Sequence, residues 1–372
     1  MNRLVALLTL ILGVASGSLA GQGAVTIPGS EQYLMKSATN GIEYQVNVAL
    51  PSGYQTSGKR YPVFYVLDAN LVFATLVDIY RGLRIDTSVP EMIVVGIGYP
   101  EDDPAVYTPA YHASRSGDYT PTNVEAALPG SGGARRFLTY LKDELIPLID
   151  GRYRTDPTDR GLGGHSLSGL FTTYALLTEP ATFGRYWIGS PAFWWDSLSI
   201  FGSVGAARAR TDQPKGRAFL TVGSLETDVM VPPMQRMAVR LKAGFPALEV
   251  SSIVYPNETH MSVLGGAISR ALRVLYARRT VPISLADAAA VAGRWKAPSG
   301  EAITIRAKGA KLTLAMAVLG NTLTIDLAAE EKDRYFGTTL SLELAAERDP
   351  AGRVIRLRRN FMNGEIVFER SR

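Results

Sequence analysis

"GLGGHSLSGLF", residues 161–171, decides the fold. It carries Gly-x-Ser-x-small around Ser166, with Ser168 where the pattern more often has a second glycine. In a nucleophile elbow a strand ends in a tight turn, a serine takes a strained backbone conformation there, and a helix starts at once. Small residues two before and two after the serine let strand and helix approach without collision. Gly164 meets the first requirement. Ser168 meets the second with one extra hydroxyl, which can point out of the helix–strand contact. Residues 170–177 have helix-compatible apolar spacing, whereas the glycine-rich 160–164 is a poor strand by propensity. With 36 glycines in 372 residues, the motif alone is a weak signal, and its surroundings have to decide.

Those surroundings alternate. Strand candidates at 44–50, 63–67, 92–97, 186–189, 218–222 and 250–255 interleave with helix candidates at 134–149, 168–177, 233–243 and 262–277. Such alternation predicts an α/β fold with a mostly parallel sheet flanked by helices, entered by an antiparallel strand at 44–50. Beyond residue 280 the period changes to two, with turn signals at 308–309, 320–321, 349–352 and 363–364. This predicts a small antiparallel β domain, barrel or sandwich. The expected organisation is a leader at 1–20, a catalytic domain at 21–280, a linker of helical bias at 281–291, and an accessory β domain at 292–372.

Residues 1–20 have a positive start, an apolar run too short to span a bilayer comfortably, and small residues at 18–20. They read as a secretory signal cleaved after Ala20, which implies a periplasmic or secreted protein with no membrane span after processing; an uncleaved anchor is the alternative. The chain has no cysteine, which excludes a thiol nucleophile, a cysteine zinc site, disulfides and a lipidated cysteine. The formal charge is +5, from basic residues scattered among acidic ones. That distribution concerns solubility and gives no nucleic-acid footprint.

Three histidines limit the choice of base. His165 adjoins the serine and is expected to point elsewhere; His112 precedes Ser166, the wrong order for an α/β hydrolase. His260, in a loop after the last predicted strand, fits the order Ser…acid…His. The acid is expected in "SLETD" after the strand at 217–223, with Glu226 first and Asp228 as the alternative. The Leu167 N–H would supply half of an oxyanion hole, and the backbone of Asn70 or Leu71, in the loop after the strand at 61–67, the other half. No metal or organic cofactor is called for. Trp194 and Trp195 could stack on an aromatic substrate or pack beside the site. Arg115 could meet an anionic acyl group or pair with Asp118.

Segments 61–70, 94–100, 115–121, 132–171, 187–196 and 255–263 together resemble the esterase-D-like branch of the α/β hydrolases, nearest its exported siderophore-esterase-like subgroup. The resemblance covers roughly residues 44–279. It implies Ser166 as nucleophile, His260 as base, an acid near Glu226, and an oxyanion held by Leu167 and the Asn70/Leu71 backbone. The expected function is an exported serine esterase acting on a small-molecule ester, such as a siderophore lactone or an aryl or acyl-sugar ester. An acyltransferase of the same fold and a non-catalytic ligand-binding protein are the competing readings. The oligomeric state is not implied.

Overall fold

The computed structural model describes residues 26–85, 88–100, 108–126, 128–340, 342–361 and 364–371. The expected leader at 1–20 and the turn residue Asn363 lie outside them.

The first unit runs β1 (Ser30–Lys36), β2 (Glu43–Ala49), β3 (Tyr61–Leu67), α1 (Ala69–Ile85), β4 (Ile93–Gly98), α2 (Pro109–Tyr119), α3 (Ala134–Tyr140) and, after a π-helical turn, α4 (Ile146–Arg152). It continues with β5 (Thr155–His165), α5 (Leu167–Thr178), β6 (Arg185–Gly189), α6 (Ile200–Arg208), β7 (Gly216–Gly223), α7 (Val231–Gly244), β8 (Leu248–Tyr255) and α8 (Leu264–Leu275). The strands form one sheet in the order β1-β2-β4-β3-β5-β6-β7-β8. From β4 to β8 every neighbouring pair is parallel. β1 and β2 join antiparallel, so the expected antiparallel entry at residues 44–50 holds.

The central strands are apolar throughout because helices cover both faces. In β3, Val63 to Leu67 are all fully buried. Their side chains alternate between two cores. Val63, Tyr65 and Leu67 join the layer built with α2–α7. Phe64 and Val66 join the layer under α1 and α8.

β5 is the strand that propensity alone would reject. Its glycines are required by close approach. A Cβ at Gly161 would lie 2.6 Å from a Phe64 ring carbon, and one at Gly163 would lie 2.8 Å from the same ring. Phe64 thus occupies the space that side chains on β5 would need, and pairing with β3 and β6 holds the strand in place. The segment after β3 also departs from expectation. Residues 69–71 begin the 17-residue helix α1 rather than a loop, with Val72, Phe73, Leu76, Val77 and Tyr80 buried along one face.

The second unit is a closed barrel of eight antiparallel strands. They are β9 (Gly293–Lys296), β10 (Ala302–Lys308), β11 (Lys311–Val318), β12 (Asn321–Glu331), β13 (Arg334–Gly337), β14 (Glu343–Arg348), β15 (Val354–Phe361) and β16 (Gly364–Arg370). The interior is filled by side chains, among them Trp295, Ile325, Leu314 and Phe368. The segment expected as a linker contains α9 (Leu285–Val291), capped by Ser284, whose hydroxyl accepts from the Asp287 N–H. Ala288 and Val291 on α9 are buried in the barrel core, so this helix packs as part of the barrel. Arg278 pairs with Glu343 and Glu330, and the Val281 N–H donates to Ala329 O at 2.9 Å. Among the described residues no helix is long and apolar enough to cross a membrane.

Candidate active site

The carboxyl ends of parallel strands are where α/β sheets gather their functional loops. Every residue expected in the triad lies there, in the turns that follow β5, β7 and β8.

Ser166 sits between β5 and α5 with φ 65° and ψ −120°, a left-handed conformation costly for a residue with a Cβ. Backbone bonds fix it there. Its N–H donates to Gly189 O (2.9 Å), and its carbonyl accepts from Leu170 and Ala192 (3.0 Å each). A Cβ at Gly164 would lie 2.4 Å from Ser168 O, so the elbow closes only with glycine at 164. The Ser166 side chain makes no capping bond to its own helix, which leaves the hydroxyl to a base. Leu167 is the first residue of α5, where backbone N–H groups have no intrahelical partner.

Of the two carboxylates expected as the acid, Glu226 is the one that meets His260. Its Oε2 lies 2.7 Å from His260 Nδ1, while Oε1 accepts from Ser190 Oγ (2.6 Å) and the Gly223 N–H (2.8 Å). A carboxylate only accepts, so Nδ1 carries a proton, and in the neutral imidazole the lone pair is then on Nε2. Burial raises the pKa of Glu226, but the bonds from His260, Ser190 and Gly223 outweigh it and hold the group below its ordinary value. Asp228 is exposed and lines a neighbouring hollow. The acid and histidine loops are laced together: Ser224 N–H donates to Tyr255 O (2.8 Å) and Leu225 N–H to Glu258 O (3.0 Å). Ser190 was not anticipated; its position at the end of the predicted strand in "WIGSP" was the available signal.

Among the described residues no hydrogen bond links Ser166 Oγ to His260 Nε2. Such catalytic contacts are often long before substrate binds. What joins the two loops is His165. Contrary to expectation its ring turns toward the base, 4.5 Å from the His260 ring centre. Burial first, then the neighbouring His260, pulls its pKa down to about 3, so it packs as a neutral ring beside the base. His112 is exposed on α2.

The other residues expected at the site are placed as follows. The Leu71 N–H donates to Asp68 O (2.9 Å) at the start of α1. Asn70 lies in the first turn of α1, where backbone N–H groups lack an intrahelical partner, and its side chain is clamped to the Tyr99 backbone by bonds of 2.7 and 2.9 Å. Arg115 is turned into the core. It is 8% exposed and forms a bidentate pair with Asp68 at 2.8 and 2.9 Å, while Asp118 is held by Tyr44 and Tyr99 instead. Trp195 is buried with its Nε1–H on Thr122 Oγ1 (3.0 Å), so it supports the loop. Trp194 is 42% exposed and lines a hollow of about 340 Å³ with Leu198, Val229, Pro232 and Pro233.

The model of the Putative esterase family matches residues 37–240. The chain belongs to this family. It is 32% identical to the ferri-bacillibactin esterase of Bacillus subtilis over 272 residues, 67% of this chain and 90% of that protein. It is 28% identical to the siderophore triacetylfusarinine C esterase of Aspergillus fumigatus, covering 68% of this chain and 94% of that one. The crystal structure of BES protein from Bacillus cereus is 30% identical and superposes with a TM-score of 0.61 over 68% of this chain and 97% of that one. Family membership assigns the chain to hydrolases acting on esters and places it near the siderophore esterases.

Proposed function

We propose that the protein is an exported serine esterase that works through an acyl-enzyme on Ser166. The observation that carries this reading is the 2.7 Å contact of Glu226 with His260 Nδ1, beside a serine held at φ 65° at the start of a helix. Ser166 Oγ attacks the ester carbonyl carbon as His260 Nε2 takes its proton. Glu226 stabilises the resulting imidazolium and fixes its orientation. The Leu167 and Asn70 N–H groups hold the oxyanion. The carbon–oxygen bond then breaks, and His260 returns the proton to the departing alkoxide. A water deprotonated by His260 attacks the acyl-serine, releasing the acid and restoring Ser166.

The proposed substrate is a siderophore-type ester, a reading supported by the named activities of the two curated relatives. Export rests on the leader-like sequence at 1–20. The deciding experiment treats the mature protein with a fluorophosphonate probe and assays bacillibactin and triacetylfusarinine C for hydrolysis. Labelling lost in Ser166→Ala, with turnover of at least one siderophore, supports the reading. A folded wild-type protein that neither labels nor hydrolyses any ester overturns it.

A further inference from the structure

Ser168 occupies the position that a glycine more often fills, and its hydroxyl does not point out of the helix–strand contact. It is fully buried and accepts from the His165 N–H at 2.8 Å. It lies 2.7 Å from Asp68 Oδ2 and 2.8 Å from His165 O. One hydroxyl proton cannot serve both oxygens, and Arg115 Nη2 already donates to His165 O (3.2 Å). The proton therefore goes to the carboxylate, where the bond is charge-assisted. Asp68 then receives Ser168, both Arg115 donors, and the Tyr111 hydroxyl at 3.0 Å.

The location of this carboxylate gives the network its consequence. Asp68 has φ 54° and immediately precedes α1, two residues before Asn70. Ser166 has φ 65° and immediately precedes Leu167. Each proposed oxyanion donor thus follows a residue in left-handed strain, on a different strand–helix turn. Apart from the β3–β5 pairing, the Ser168–Asp68 contact ties those turns to each other directly. Backbone in such conformations persists only where the surroundings over-determine it. A loss of even half an ångström in donor placement weakens stabilisation of charge that develops in the transition state.

We propose that Ser168 is a positioning residue for this reaction: through Asp68 and Arg115 it sets the distance between the Leu167 and Asn70 N–H groups. The proposal rests on the acyl-enzyme reading above. It makes a prediction that simple packing does not. Removing the hydroxyl should weaken binding of a tetrahedral species and spare binding of the planar ester.

The experiment compares wild type, Ser168→Ala and Thr173→Ala. Thr173 is buried on the same helix, donates to Gly169 O (3.0 Å), and serves as the stability control. Measured are fluorophosphonate labelling rate, the inhibition constant of phenylboronic acid, kcat and KM on p-nitrophenyl butyrate, and Tm. Ser168→Ala is expected to label at least tenfold more slowly, bind phenylboronic acid correspondingly less well, and lose kcat with KM within about twofold. Thr173→Ala should lower Tm and leave the labelling rate unchanged. Equal labelling of wild type and Ser168→Ala overturns the positioning role while the esterase reading stands. A loss in Ser168→Ala confined to Tm, or matched by Thr173→Ala at equal Tm, overturns it as well. A wild type that neither labels nor hydrolyses any ester overturns both.

Discussion

Glu226 Oε2 and His260 Nδ1 lie 2.7 Å apart, with the carboxylate side chain 2% exposed and the imidazole 36% exposed. The carboxylate is thus buried and clamped by three donors, while the imidazole keeps an open face toward solvent. If this pairing orients the base, Glu226→Gln should lower kcat by about 10²–10⁴-fold, since the amide favours the wrong tautomer. His260→Ala should cost at least as much, and Asp228→Ala far less than either. Steady-state kinetics on p-nitrophenyl butyrate read all three. A larger loss in Asp228→Ala than in Glu226→Gln would reverse the assignment.

Asp118 sets a pH dependence of stability that is separate from catalysis. Burial pushes its pKa from the ordinary 3.8 up to about 7, against the opposing bonds from Tyr44 and Tyr99. Between those values the native protein keeps a proton that the unfolded chain has released. Stability from this group is therefore full below about pH 4 and declines as pH rises through about 7. Asp118→Asn, neutral in both states, should remove that decline. The difference in urea midpoint between variant and wild type should move in the variant's favour from pH 5 to pH 8. An unchanged difference would show that Asp118 is ionised in the native state.

The adjacent tryptophans should separate cleanly. Trp195→Ala removes a buried indole and its bond to Thr122, and should cost about 3–5 kcal/mol of stability. Trp194→Ala should leave Tm nearly unchanged and raise KM for phenyl esters more than for ethyl esters, if the exposed ring receives an aromatic group. Equal effects on both ester types would leave Trp194 as an ordinary wall of the hollow.

How much of this was legible follows from what each residue interacts with. The Ser166…Glu226…His260 order could be read because it depends on loop position along the chain and on the scarcity of histidine. The parallel strands β3, β4, β6 and β7 could be read because both faces are apolar. β5 could not, because its glycines answer to the Phe64 ring, a neighbour 97 residues from Gly161 in sequence. The roles of Ser168, Arg115 and Asp68 were hidden for the same reason. Their partners come from different strands and helices, and an arginine in "RSGDYTP" carries no local mark that its carboxylate lies at the end of β3. The start of α1 at Ala69 was missed, and with it the bond from the Leu71 N–H to Asp68 O.

Gly164 offers the sharpest test of the elbow itself. A methyl group there would meet Ser168 O at 2.4 Å and Ser168 Cβ at 2.8 Å, contacts that no side-chain rotation relieves because one of them is backbone. Gly164→Ala must push the start of α5 away from β5, carrying the Leu167 N–H and the Ser166 Oγ with it. Gly151, which has open space around its Cβ position, is the matched control near the end of α4. Gly164→Ala should abolish fluorophosphonate labelling while far-UV circular dichroism stays native-like, and Gly151→Ala should label at the wild-type rate. Labelling of Gly164→Ala at the wild-type rate would show that the turn has slack. The strained serine geometry would then not be what places the nucleophile.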